Sequence, residues 1–219
     1  EARVAQPRPI QSVGVVGGGT MGAGIAVALL SAGLSVVMVE RDEAALAQVI
    51  ADFGQPAVVV HNAVGGAFGT YDKIDAGTLA RNFEINTMAL FHLARLTTPA
   101  MIAAGEGALI VTGNTSAQRG RAAFAGFAPT KAAQRILAES LARDLGPKGI
   151  HVAYLIIDAV IDVPWQRERL PEAADDFFIS PASIAGEVHH LAHQLLAHLL
   201  AGLVEALRVA LLGNPNCGK

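Results

Sequence analysis

The residues best suited to chemistry stand near the N-terminus. Gly17, Gly19 and Gly22 sit at the spacing G-x-G-x-x-G within Gly17-Gly18-Gly19-Thr20-Met21-Gly22. An apolar run precedes this loop and a helical pattern follows it, so the loop is expected to present free backbone N–H groups to an anion. The first glycine permits a tight turn, the second lets a pyrophosphate approach the backbone, and the third lets the helix pack on the strand. Glu40 closes the next apolar run. A carboxylate there accepts hydrogen bonds from an adenosine ribose, which favours NAD; Arg41 beside it tolerates a 2′-phosphate, so NADP stays open. Other candidates are weaker. His189 and His193 share a helix face at a spacing compatible with zinc, but no Cys, Asp or HExxH pattern supports them, and they read as a solvated flank with no metal expected. Asp158, Asp162, Asp175 and Asp176 are irregularly spaced and read as exposed loop residues.

The elements that must position the loop alternate along the chain. Apolar runs at 12–16, 35–40, 57–60, 108–112 and 151–157 read as strands, with a possible last strand at 208–212. Helical patterns cover 21–32, 42–53, most of 76–103, 130–145 and 181–203; Ile184, Val188, Leu191, Leu195 and Leu199 line one face of the last. Residues 62–70 read as a loop and 163–180 as irregular. Strands that are apolar on both faces, separated by helices, imply a parallel sheet covered on both sides. The expected fold is therefore a single α/β domain, a doubly wound, Rossmann-like, three-layer α/β/α sandwich with its ligand at the carboxyl ends of the strands.

Bulk composition narrows the partners. The 219 residues are 52% apolar with a formal charge of −3, which suits one cored domain and gives no basic field for nucleic acid. A single cysteine, Cys217, excludes an internal disulfide and favours a cytoplasmic setting. Residues 1–10 have no apolar leader core, and His198, Glu205 and Arg208 interrupt the most apolar stretch, so no membrane span is expected.

Residues 13–41 resemble the N-terminal nucleotide-binding segment of 3-hydroxyacyl-CoA dehydrogenases. From about residue 52 to about 194 the chain resembles the short-chain dehydrogenase/reductase family. The marks are His61-Asn62-Ala63-Val64, similar to the family's turn beside the adenine ring; Asn86, matching a helix asparagine that holds a water in the proton relay; the 113–120 loop, which carries the family's catalytic serine; Lys131, matching the lysine of Tyr-x-x-x-Lys; and the 146–152 entry into a core strand. The resemblance implies an NAD(P)-dependent oxidoreductase acting on a small carbonyl or alcohol. It also implies a dimer or tetramer packed through helices 76–103 and 130–145, and a substrate lid near Trp165, Phe177 and Phe178.

The departures are as specific as the matches. The tyrosine position holds Phe127 and the serine position Asn114, while Asp158-Ala159 replaces a Pro-Gly turn. Phenylalanine has no proton to give. Asn114 still donates a hydrogen bond, and Thr115 and Ser116 supply hydroxyls nearby. In this reading Lys131 bonds the nicotinamide ribose. A strand and helix that the family places before the strand ending at His61 look absent. A catalytically silent dinucleotide-binding or scaffold protein is the competing expectation. Residues 208–219 resemble the start of a ferrous-iron-transport GTPase, with Gly213 to Lys219 fitting G-x-x-x-x-G-K but lacking the Ser/Thr for Mg²⁺ and the following helix. Three resemblances in one chain suggest a chimera.

Overall fold

The computed structural model describes residues 12–17, 22, 25–26, 29–30, 35–39, 50–52, 54–199 and 208–213. Its strands are β1 (Ser12–Val16), β2 (Ser35–Val39), β3 (Val58–His61), β4 (Gly107–Gly113), β5 (Ile150–Asp158), β6 (Val160–Ile161), β7 (Phe178–Ile179) and β8 (Arg208–Gly213). Six of them form one sheet in the order β2-β1-β3-β4-β5-β8, every pairing parallel. β2 lies on one side of β1 and β3 on the other, so the winding reverses between β1 and β3, where α/β sheets leave a crevice for ligands. Among the described residues no further strand lies along the chain between β2 and β3, as the shortened connection before His61 implies.

The helices are α1 (Ala76–Phe83), α2 (Ala89–Ala104), α3 (Ala128–Leu145), α4 (Pro164–Arg169) and α5 (Pro181–Leu199); residues 22, 25–26, 29–30 and 50–52 are also helical. Alternation along the strands sorts the core onto two faces. Val13, Val15, Val58, Val60, Ile110 and Leu155 pack with Ile25, Leu29 and, from α5, Ile184, Val188 and Leu191. Val59, Leu109, Val111, Val152, Tyr154 and Ile156 pack with Leu90 and Leu93 of α2 and Ala138 and Ala142 of α3. Three layers result. The side chains of His193, Leu195 and Leu199 lie outside the described residues, and so do residues 214–219 of the phosphate-loop resemblance.

Two expectations change. The helical run from 76 is interrupted by a π turn, Glu84–Met88, which joins α1 to α2. The 163–180 segment is ordered rather than irregular. Val163 is extended, Pro164 opens α4, and β6 pairs with β7. Arg167 holds this segment together: its Nε and Nη2 donate to Asp162 at 2.7 and 2.9 Å, Nη1 donates to Asp175, and its guanidinium lies 4.4 Å over the Phe178 ring. Polar ties of this kind, five and eight residues apart, leave no periodic trace in sequence. Among the described residues no helix is long and apolar enough to cross a membrane.

Candidate active site

The carboxyl ends of β1, β3, β4 and β5 converge. Gly17 follows β1 at φ +99°, a conformation L side chains rarely adopt. A Cβ on Gly17 would stand 2.8 Å from the Ala63 backbone, and one on Gly22 only 1.9 Å from the Gly17 carbonyl. Gly17 is thus pressed against the turn after β3, and Gly22 against Gly17, a packing that glycine alone allows. Gly18, Gly19, Thr20, Met21, Glu40 and Arg41 lie outside the described residues.

Asn62 fastens the crevice. Its N–H donates to Val16 at 2.9 Å, its Nδ2 to the Gly17 carbonyl at 3.3 Å, and its Oδ1 accepts from Thr112 Oγ1 at 2.9 Å. One side chain therefore ties β3 to both β1 and β4. Beside it, Asn62, Val64, Thr112, Asn114, Lys131 and Ile157 help to line a cavity of about 220 Å³. Lys131 arrives from α3, 2% exposed, with Nζ donating to the Thr112 carbonyl at 3.1 Å. Burial pushes its pKa from 10.5 down to about 7. Asn114 caps the short turn 115–117 by accepting from Ser116 N at 3.1 Å through Oδ1.

The other two candidates stand apart from this cavity. Asn86, on the π turn, is fully buried and exchanges two bonds with Gly65: Nδ2 donates to its carbonyl at 3.0 Å, and Oδ1 accepts from its N–H at 2.9 Å. Nδ2 also donates to Thr130 Oγ1 at 2.8 Å, and the Asn86 carbonyl accepts from Gln134 Nε2 at 2.7 Å. Asn86 thus locks the 62–70 loop to α3 and is not among the cavity's lining residues. Phe127 precedes α3, 3% exposed, with the Phe68 ring 5.0 Å and the Phe124 ring 6.3 Å away. It too is absent from the lining, and fills the tyrosine position with packing.

A buried polar chain runs behind the cavity. Tyr154 Oη donates to Gln134 Oε1 at 3.3 Å, and Gln134 Nε2 lies 3.2 Å from His61 Nδ1. That donor requires an acceptor at Nδ1, so His61 is neutral with its proton on Nε2, which has no partner. Burial, reinforced by the Lys131 charge, pushes His61 down to about 3, and burial raises Tyr154. Sequence reasoning singled out neither Gln134 nor Thr112; a glutamine among apolar neighbours on α3 is the signal for the first.

An α/β fold with a glycine-cradled crevice at its switch point is the architecture of dinucleotide-binding proteins. Residues 43–170 match the short chain dehydrogenase family model, well over half of the chain, and the chain belongs to that family. Residues 12–64 match the NAD binding domain of 3-hydroxyacyl-CoA dehydrogenase. The 7alpha-hydroxysteroid dehydrogenase of Escherichia coli (strain K12) is 30% identical over 123 residues, 56% of this chain and 48% of that protein. The 3-alpha-(or 20-beta)-hydroxysteroid dehydrogenase of Mycobacterium bovis is 28% identical over 162 residues, 73% of this chain and 62% of that protein. The chain spans about half the length of the first of these. Among solved structures, a gluconate 5-dehydrogenase from Burkholderia cenocepacia J2315 in complex with NADP and tartrate superposes with TM-score 0.77 at 18% identity, covering 97% of this chain and 96% of that one. A short-chain dehydrogenase from Streptomyces avermitilis gives TM-score 0.74 at 21% identity, covering 93% and 89%. At such identities these structures speak for the fold.

Proposed function

We propose that the chain is an NAD(P)-dependent oxidoreductase that interconverts a carbonyl and an alcohol at the carboxyl ends of β4 and β5. The observation that carries this reading is the meeting of Lys131 and Asn114 in one cavity beside the glycine turn. The residues fit the cofactor: the Gly17–Gly22 contact leaves no room for a side chain where a pyrophosphate must approach, and Lys131 offers a buried cationic donor for the nicotinamide ribose. When bound, the nicotinamide supplies or accepts the hydride. Gly17, Gly19, Thr20, Met21 and Gly22 would hold the pyrophosphate, Glu40 and Arg41 would serve the adenosine ribose, and Asn62, Ala63 and Val64 the adenine side. The cap on Ser116 uses Asn114 Oδ1, leaving Nδ2 to donate to the substrate oxygen. With Phe127 in the tyrosine position, protons reach that oxygen from the Lys131 side through water.

Phe127 also favours the second reading, a silent dinucleotide-binding protein, because its ring is packed away from the cavity. NADH fluorescence titration followed by a carbonyl screen separates the two. Binding with turnover is expected; with the Phe127 ring packed outside the cavity, Phe127→Tyr should leave the rate unchanged, and a rise of roughly 10²-fold would show that a tyrosine hydroxyl reaches the substrate oxygen from this position. Binding without turnover rejects the oxidoreductase reading, and absence of binding rejects both. Exposed Phe91 on α2 and Ile136 on α3 support a homo-oligomer through these helices, checked by light scattering. The cytoplasmic setting rests on cysteine usage. The chimera reading rests on two different family matches that overlap over residues 43–64, and peptide sequencing of the intact chain tests it.

A further inference from the structure

A second cavity, about 260 Å³, adjoins the first and shares Asn114, Ile157 and Ala159 with it. Its walls combine Arg119 and Arg121 with the rings of Phe124 and Phe177, and Asp158 forms part of them. The two arginines differ from their neighbour Arg167, which is committed to Asp162 and Asp175. Among the described residues neither Arg119 nor Arg121 has a carboxylate partner, and Arg121 is held only by the Phe124 face, 6.0 Å from its guanidinium. Asp158 is already engaged by the Thr115 hydroxyl at 2.8 Å. Two cations and one anion leave a net positive wall at the solvent-facing side of the cavity.

The dinucleotide does not account for this charge. Its pyrophosphate belongs at the end of β1, two strands from β4, roughly 10 Å away at the usual strand spacing. An adenosine 2′-phosphate belongs at β2, one strand further still. The anion therefore comes from the substrate. A monoanion suits the site better than a phosphate, whose charge of about −1.5 to −2 would face Asp158.

We propose that Arg119 and Arg121 form a carboxylate subsite, so that the substrate is an oxo acid whose carbonyl meets Asn114 while its carboxylate lies between the arginines and its apolar body between Phe124 and Phe177. This rests on the oxidoreductase reading for the role of the carbonyl, but the subsite is tested by binding alone. The probes are phenylglyoxylate and its neutral methyl ester, titrated by calorimetry into the whole chain with NADH present and absent. The acid should bind at least tenfold more tightly than the ester. The double variant Arg119→Ala/Arg121→Ala, altered at two exposed loop positions, should bring the acid down to the ester's affinity. Equal affinity of acid and ester, or a preference that survives in the double variant, overturns the subsite. NADH consumption is recorded separately: a carboxylate preference without turnover rejects hydride transfer and leaves the subsite standing, whereas turnover without preference does the reverse.

Discussion

Replacing Lys131 by methionine should stabilise the protein while removing its function. The lysine is almost wholly buried, makes one hydrogen bond, to the Thr112 carbonyl, and has its pKa lowered from 10.5 to about 7. Its folded value lies below its unfolded one, so the unfolded chain binds the extra proton between these limits. Stability contributed by this group therefore rises with pH through that window, and the burial penalty is greatest below it. At 1.36 kcal/mol per pH unit the penalty is roughly 4 kcal/mol near pH 7 and roughly 2 kcal/mol near pH 9. Methionine has similar length and no charge; after allowing about 1 kcal/mol for the lost hydrogen bond, the variant should gain roughly 3 kcal/mol near pH 7 and roughly 1 kcal/mol near pH 9. Urea denaturation of both proteins at the two pH values measures this. The decisive quantity is the difference of differences, about 2 kcal/mol, from which other titrating groups cancel. Parallel pH responses in the two proteins would refute the claim that a charged lysine is held against its preference.

The same logic gives an acid limb to His61. Its pKa is lowered from 6.5 to about 3, so stability falls as pH drops from 6.5 towards 3 while the unfolded chain takes up the proton. His61→Leu should flatten that limb by roughly 3 kcal/mol near pH 4.5, read by denaturation at pH 7 and pH 4.5; an unchanged acid slope would count against it. Gly22→Ala places a methyl 1.9 Å from the Gly17 carbonyl and should abolish NADH binding with a lowered Tm. Retained binding would show that this contact is not part of the cofactor cradle.

The central strands were legible because burial on both faces writes them as unbroken apolar runs: Val58–His61, Gly107–Gly113 and Ile150–Asp158 are buried almost throughout. Gly17 and Gly22 were legible because backbone contact excludes every other residue there. Gln134 was not, since its meaning lies in partners 48 and 73 residues away. The π turn was hidden for the same reason. Asn86 was singled out by resemblance, but its role in locking the loop shows only once Gly65, Thr130 and Gln134 are seen around it. Phe127 was visible as a departure, but its burial against Phe68 depends on a loop whose path no local pattern sets.

The parallel sheet also governs how the crevice comes into being. Every neighbouring pair in the order β2-β1-β3-β4-β5-β8 requires a crossover, so no hairpin can nucleate it. Parallel pairing of this kind closes long loops before contacts reward it, so folding should be slow. β1 pairs on one side with β2 but waits for β3 on the other, and Asn62 cannot bridge to Thr112 until β4 arrives. The two walls of the site meet late, and until they do the apolar edge of β1 is open to mispairing with other nascent chains.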